Sequence, residues 1–188
     1  ALKHKVNILF SYNLDNKELS SPLAYNVLNY GLGDNKLIYV SSILGDVHSI
    51  NLENKVSRPL SSQSITNGER DSVKLIIASG EKIIALVNNA QQGSLKDAYA
   101  YDKDRLVFEK ISDDFGIFDA KLSSNRKKVM LVSKNTISVY WLEEVHIQPF
   151  HEPGDYAEIH TSKNTLLSTY WFTKDNEHIF FSTIDGIW

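Results

Sequence analysis

Apolar residues in this chain come in short runs rich in Val, Ile, Tyr and Phe, separated by clusters of Gly, Asn, Asp, Ser and Lys. Such runs are too short for helices and carry the period-two alternation of strands, so the pattern predicts many short antiparallel strands. Only Pro22–Tyr30 fits a short helix. The fold class expected is all-β.

The runs also repeat. Residues 30–42, 76–88, 121–133 and 171–183 can be laid over one another, each an apolar strand end, a polar turn, then three or four apolar residues closing on Ser, Asn or Thr. Matching Lys36, Lys82, Lys128 and His178 spaces them 46, 46 and 50 residues apart. A second element recurs in the same phase: Tyr12–Lys17 resembles Ile50–Lys55, with Tyr99–Asp104 and Val139–Glu144 as looser copies. A further strand follows at Val56–Leu60, Arg105–Ile111 and Tyr156–Thr161. A blade of four strands in a β-propeller takes about 40–50 residues. Two motifs sharing one phase favour a propeller over a β-sandwich.

The expected map is a half blade at 1–20, blades at 22–66, 72–112 and 115–162, and a partial blade at 165–188. The linkers Ser61–Asp71 and Gln148–Asp155 read as surface connections. Propeller blades bury their faces against neighbouring blades, and rings close with four to eight of them. Three full blades and two partial ones do not obviously close. The chain is therefore expected to be a fragment or part of a larger ring, or else Trp188's strand pairs with the strands at Val6–Leu14. A start at Ala1 without Met points the same way.

Composition narrows the chemistry. Absence of cysteine excludes disulfides, thiolate metal sites and a cysteine nucleophile. A net charge of −3 with Lys and Arg spread throughout gives no reason to expect nucleic acid. No apolar stretch reaches the roughly 18–20 residues that cross a bilayer as a helix.

Each chemical motif has a plainer explanation. Ser124-Asn-Arg-Lys127 satisfies S-x-x-K, but that nucleophile motif opens a helix, and here it lies in a repeat turn. His146, His151 and His160 fall close together without the spacing of a zinc set. Asp102, Asp104, Asp113 and Asp114 lack the full calcium-loop pattern and sit where turns favour Asp. Asn125–Lys128 is too short for a phosphate-binding surface. The expectation is no catalytic residue, no metal and no cofactor. Tyr140, Trp141, Tyr170 and Trp171 are the candidate partner contacts, because adjacent strand residues face opposite ways and exposed aromatics anchor interfaces.

Trp171-Phe-Thr-Lys-Asp-Asn-Glu-His-Ile-Phe-Phe-Ser182 resembles the blade segment of bacterial WD40-like propellers related to the TolB group. Tyr140-Trp-Leu-Glu-Glu144, with Gln148-Pro-Phe150 and Gly154-Asp155, is similar to a stretch of the propellers in bacterial PEGA-domain proteins. The resemblance covers residues 115–188, and the earlier chain joins it only through the repeat. It implies a non-enzymatic binding or scaffold propeller, extracytoplasmic and tethered to the membrane by a segment outside this chain, with a protein, peptide or glycan ligand. Two alternatives are an intracellular eukaryotic WD40-type interaction scaffold and the gating propeller of a prolyl-oligopeptidase-type serine peptidase. The chain contains no G-x-S-x-G of its own.

Overall fold

The computed structural model describes residues 7–34, 36–42, 45–61, 65, 72–88, 95–111, 116–134, 136–144, 146, 150–161, 167–183 and 186–187. These residues form strands and turns without a helix. The strands are β1 (Ile8–Leu9), β2 (Tyr12–Asn13), β3 (Glu18–Leu19), β4 (Ala24–Tyr25), β5 (Val27–Leu32), β6 (Leu37–Ser42), β7 (Val47–Asn51) and β8 (Ser57–Pro59). They continue with β9 (Ser72–Ser79), β10 (Lys82–Asn88), β11 (Lys96–Asp102), β12 (Val107–Lys110), β13 (Asp119–Leu122) and β14 (Lys128–Val132). The last five are β15 (Thr136–Trp141), β16 (Tyr156–Thr161), β17 (Leu167–Phe172), β18 (Ile179–Thr183) and β19 (Gly186–Ile187).

Three four-stranded antiparallel meanders follow one another, β5–β8, β9–β12 and β13–β16, and then the three-stranded β17–β19. Each strand pairs with its sequence neighbour, as propeller blades do. Ahead of them β1 pairs with β4, and β2 pairs with β3. The chain divides into two compact units, one formed by residues 1–93 and 98–111, the other by 94–97 and 112–188.

In the first unit, Tyr39 packs on Val73, Ile76, Ala78, Ile83, Ala85 and Val87 between the first two blades. The opposite face of the first blade, with Ile38, Val40 and Ile50, packs on Leu9, Leu23 and Ala24. In the second unit Met130, Val132 and Ile137 pack on Leu167, Tyr170, Phe172, Ile179 and Phe181. Alternation along β6 and β14 thus sends successive residues to opposite faces of a blade.

Polar bonds tie blade to blade. The Tyr39 hydroxyl donates to the Gly80 carbonyl at 2.9 Å and the Tyr101 hydroxyl to the Leu60 carbonyl at 2.7 Å. Gly80 N–H donates to the Gly33 carbonyl at 2.7 Å. Backbones come so close that a Cβ on Gly31 would lie 2.6 Å from the Ile76 carbonyl oxygen. In the second unit, buried Asn176 accepts from both the backbone N–H and the hydroxyl of Ser124. The Tyr170 hydroxyl donates to Asp119 at 2.6 Å.

β8 closes the outer edge of its blade with three residues. Asn51 N–H donates to the Val56 carbonyl and Leu60 N–H to the Val47 carbonyl. This phase points the N–H positions of residues 57 and 59 away from β7, and residue 59 is proline.

Three expectations need correction. Pro22–Tyr30 is not a helix: Asn26 sits at φ 56°, which breaks any helical run, and β4 and β5 flank it. In the first hairpin, Gly33 N–H donates to the Leu37 carbonyl, whereas in the third Ser123 N–H donates to that of Lys128. Leu37, not Lys36, is therefore equivalent to Lys82, Lys128 and His178. The acidic turn of the second blade is likewise shifted by two residues. Asp102 Oδ1 accepts from Asp104 and Arg105 N–H, as Asn51 Oδ1 does from Glu53 and Asn54 and Asn13 Oδ1 from Asp15 and Asn16. Leu106, Lys55 and Lys17 occupy the matching positive-φ position, so Tyr101–Leu106 is the true copy. Val6 and Trp188 lie outside the described residues, as do Asp113, Asp114 and most of the 61–71 linker.

Candidate binding groove

The same face of the first blade that carries Tyr39 opens outward into a groove. Cross-strand pairs set two rows on it: Tyr39, Ser49 and Arg58 in one, Leu37, Asn51 and Val56 in the other. Glu81, Ile83, Tyr101, Lys103 and Leu106 of the second blade form the facing wall, and the space between is about 390 Å³. Towards the inner strands it is closed by the Tyr39 cluster. It widens over β7 and β8, where Ser49 and Asn51 are short.

The groove has an apolar floor and a polar rim. Tyr39 is 2% exposed, and burial pushes its hydroxyl up to about 12. Burial also raises the Tyr101 hydroxyl. Both phenols are therefore neutral donors with committed partners; Tyr39 is buried beneath the groove, and the partly exposed Tyr101 lines it. On the rim, Lys103 and Glu81 neutralise each other at 2.6 Å. Arg58, opposite Ser49 in register, has no side-chain partner among the described residues. Sequence reasoning missed this groove.

The second unit has an equivalent slot, and its contents explain the first. Register equates Ser49 with Val139, Asn51 with Trp141 and Arg58 with Ala157. With these apolar residues, the slot beside Phe172, Asn176 and Ile179 shrinks to about 280 Å³. Lys128 lies across it, donating to the Asn176 carbonyl at 3.0 Å.

This places the four aromatic candidates. Trp141 is 8% exposed and stacks on His151 at 3.8 Å, its indole N–H buried without a partner among the described residues. Tyr170 is buried, and Lys121 lies 4.4 Å over its ring. Burial, together with the Asp119 bond, raises its hydroxyl far above the ordinary value. Tyr140 is half-buried, which raises its hydroxyl too. Trp171 is 44% exposed, paired across the strands with Phe180 at 5.9 Å. On the same strand pair the hydroxyls of Ser168 and Thr169 both bond to that of Ser182.

The remaining motifs fall in turns. Ser124 bonds to Asn176, and Lys127 pairs with Glu143 at 3.3 Å, so the S-x-x-K residues have separate partners. His146 pairs with Glu144, and His151 with Asp155. Among the described residues, no group of three His, Cys, Asp or Glu side chains is placed to hold a metal ion.

No protein-family model and no curated protein matches the chain. Solved structures do. The chain is similar to the extracellular domain of BT4673 from B. thetaiotaomicron, at 12% identity and TM-score 0.58, over 96% of this chain and 23% of that one. It is similar to the Dos1 propeller, at 14% identity and TM-score 0.59, over 94% of this chain and 48% of that one. It is also similar to the tricorn protease, at 13% identity and TM-score 0.53, over 93% of this chain and 17% of that one. The chain thus spans less than half of each of these structures. At such identities the likeness shows the fold: part of a β-propeller.

Proposed function

We propose that the chain is a non-enzymatic binding propeller, extracytoplasmic and belonging to a membrane-tethered bacterial protein. The observation that carries the reading is the groove between the first two blades. Its walls are held by phenol-to-carbonyl bonds, so a ligand meets a preformed site and little ordering opposes binding. The extracellular setting of the BT4673 domain supports the compartment. The similarity of residues 115–188 to PEGA-domain propellers supports the tether.

The test is a titration of isotopically labelled protein with a panel of peptides and oligosaccharides, read by amide chemical shifts. The reading expects at least one ligand to move amides of residues 49–60 and 101–106 reversibly and to be recovered unaltered. Chemical conversion of the ligand, or shifts confined to other surfaces, refutes it. The likeness to the tricorn protease favours a second reading, a propeller that accompanies a peptidase. On that reading this chain alone still hydrolyses nothing.

A further inference from the structure

The groove's polar atoms are unequal in kind. Asn51 Oδ1 accepts from Glu53 and Asn54 N–H, and Asn54 Oδ1 accepts from Val56 N–H. The turn thereby takes up both amide oxygens and leaves both NH₂ groups as donors. Glu81, the one carboxylate among the described lining residues, is held by Lys103. Arg58 contributes five further donors. The rim therefore offers donors and positive charge, while Leu37, Val56, Tyr101 and Leu106 offer apolar surface, and the phenol hydroxyls of Tyr39 and Tyr101 are already bonded.

We propose that this groove takes the C-terminal end of a peptide, with Arg58 on the terminal carboxylate and apolar side chains against Leu37 and Tyr101. The proposal rests on the reading of the groove as the binding site. A cation meets Arg58 and a carboxylate already neutralised by Lys103, and a neutral sugar meets more donors than acceptors. A carboxylate satisfies Arg58 as a charge-assisted, bidentate pair. Tyr39, Ser49 and Arg58 lie on adjacent strands, so about 10 Å separates the strand of the floor from that of the guanidinium. About three residues of extended peptide cover that distance. The second unit supplies an internal contrast, because Val139, Trp141 and Ala157 remove all three polar positions from the matching slot.

The experiment titrates the labelled chain with N-acetylated Ala-Leu-Phe bearing a free carboxylate, the same tripeptide as its amide, and glucuronate. The acid is expected to shift amides at 49–60 and 101–106. The amide binds at least tenfold more weakly, Arg58→Gln weakens the acid at least tenfold, and glucuronate binds more weakly than the acid. Arg58 is exposed, so Arg58→Gln leaves the unfolding midpoint near that of the parent. Equal binding of acid and amide in the groove overturns the carboxylate proposal but leaves the binding-groove reading standing. Tighter, Arg58-dependent glucuronate binding overturns the peptide in favour of a sugar acid. Failure of the acid to bind overturns the proposal, and the wider panel then decides the reading beneath it.

Discussion

Replacing Gly31 by alanine pushes the first two blades apart where a strand of one lies directly against a strand of the other. The added Cβ would lie 2.6 Å from the Ile76 carbonyl oxygen and 2.9 Å from its Cγ2. The first obstacle is backbone, and it belongs to a strand already paired with β10 through Ile76↔Ala85. Relief therefore requires moving a whole strand. Overpacking of this kind costs about 1–3 kcal/mol, and the immovable partner puts Gly31→Ala at the upper end, about 3 kcal/mol. Gly80→Asn is the control. Gly80 has φ +55° and open space where a Cβ would go, and Asn tolerates that conformation, so about 0.5 kcal/mol is expected. With a urea m-value of about 1–3 kcal/mol/M, Gly31→Ala lowers the midpoint of the first unit by about 1 M or more, while Gly80→Asn hardly moves it. A Gly31→Ala midpoint within error of the control would refute the claim that blade contact is set by the missing Cβ.

Two further outcomes follow from the same interfaces. The Tyr39 phenol is raised in the folded chain from 10.0 to about 12, so the unfolded chain loses this proton first. Stability from this group is full below pH 10 and is lost as pH rises through about 12. Urea midpoints should fall over that window, and Tyr39→Phe should flatten part of the fall while costing about 1 kcal/mol at neutral pH for the lost bond to Gly80. Trp141→Ala, which empties a filled slot, should cost about 3–5 kcal/mol. Trp171→Ala, at an exposed site, should cost about 1 kcal/mol or less. Acrylamide quenching of Trp141 and Trp171 in turn, each with the other two of the three tryptophans replaced by Phe, should find Trp171 accessible and Trp141 shielded; equal quenching contradicts the placement.

The meander was legible because turn residues and apolar runs are local signals. Ser123-Ser-Asn and Thr173-Lys-Asp close their hairpins with the same side-chain bonds, Asn125 Oδ1 receiving Lys127 N–H and Asp175 Oδ1 receiving Glu177 N–H. Where turns differ in length, the sequence comparison slipped. Lys36 matched Lys82 by type, yet pairing aligns Leu37, and one residue exchanges the faces of a strand. The groove was illegible for that reason. Ser49, Asn51 and Arg58 are ordinary polar residues until register shows that they replace Val139, Trp141 and Ala157. Trp171, Trp141, Tyr140 and Tyr170 looked alike in sequence, and only alternation against a packed neighbour separates the buried pair from the accessible Trp171.

The proline that ends β8 bears on how such a chain survives in company. A sheet's free edge is a template on which another molecule can add a strand. Here that edge is three residues long, and the position where Pro59 would present a donor has none to present. An incoming strand would find the carbonyls of Ser57 and Pro59 but a single donor, the N–H of Ser57, to extend its ladder. Beside copies of itself, the first blade thus presents a short edge poor in donors, a weak template for adding further strands.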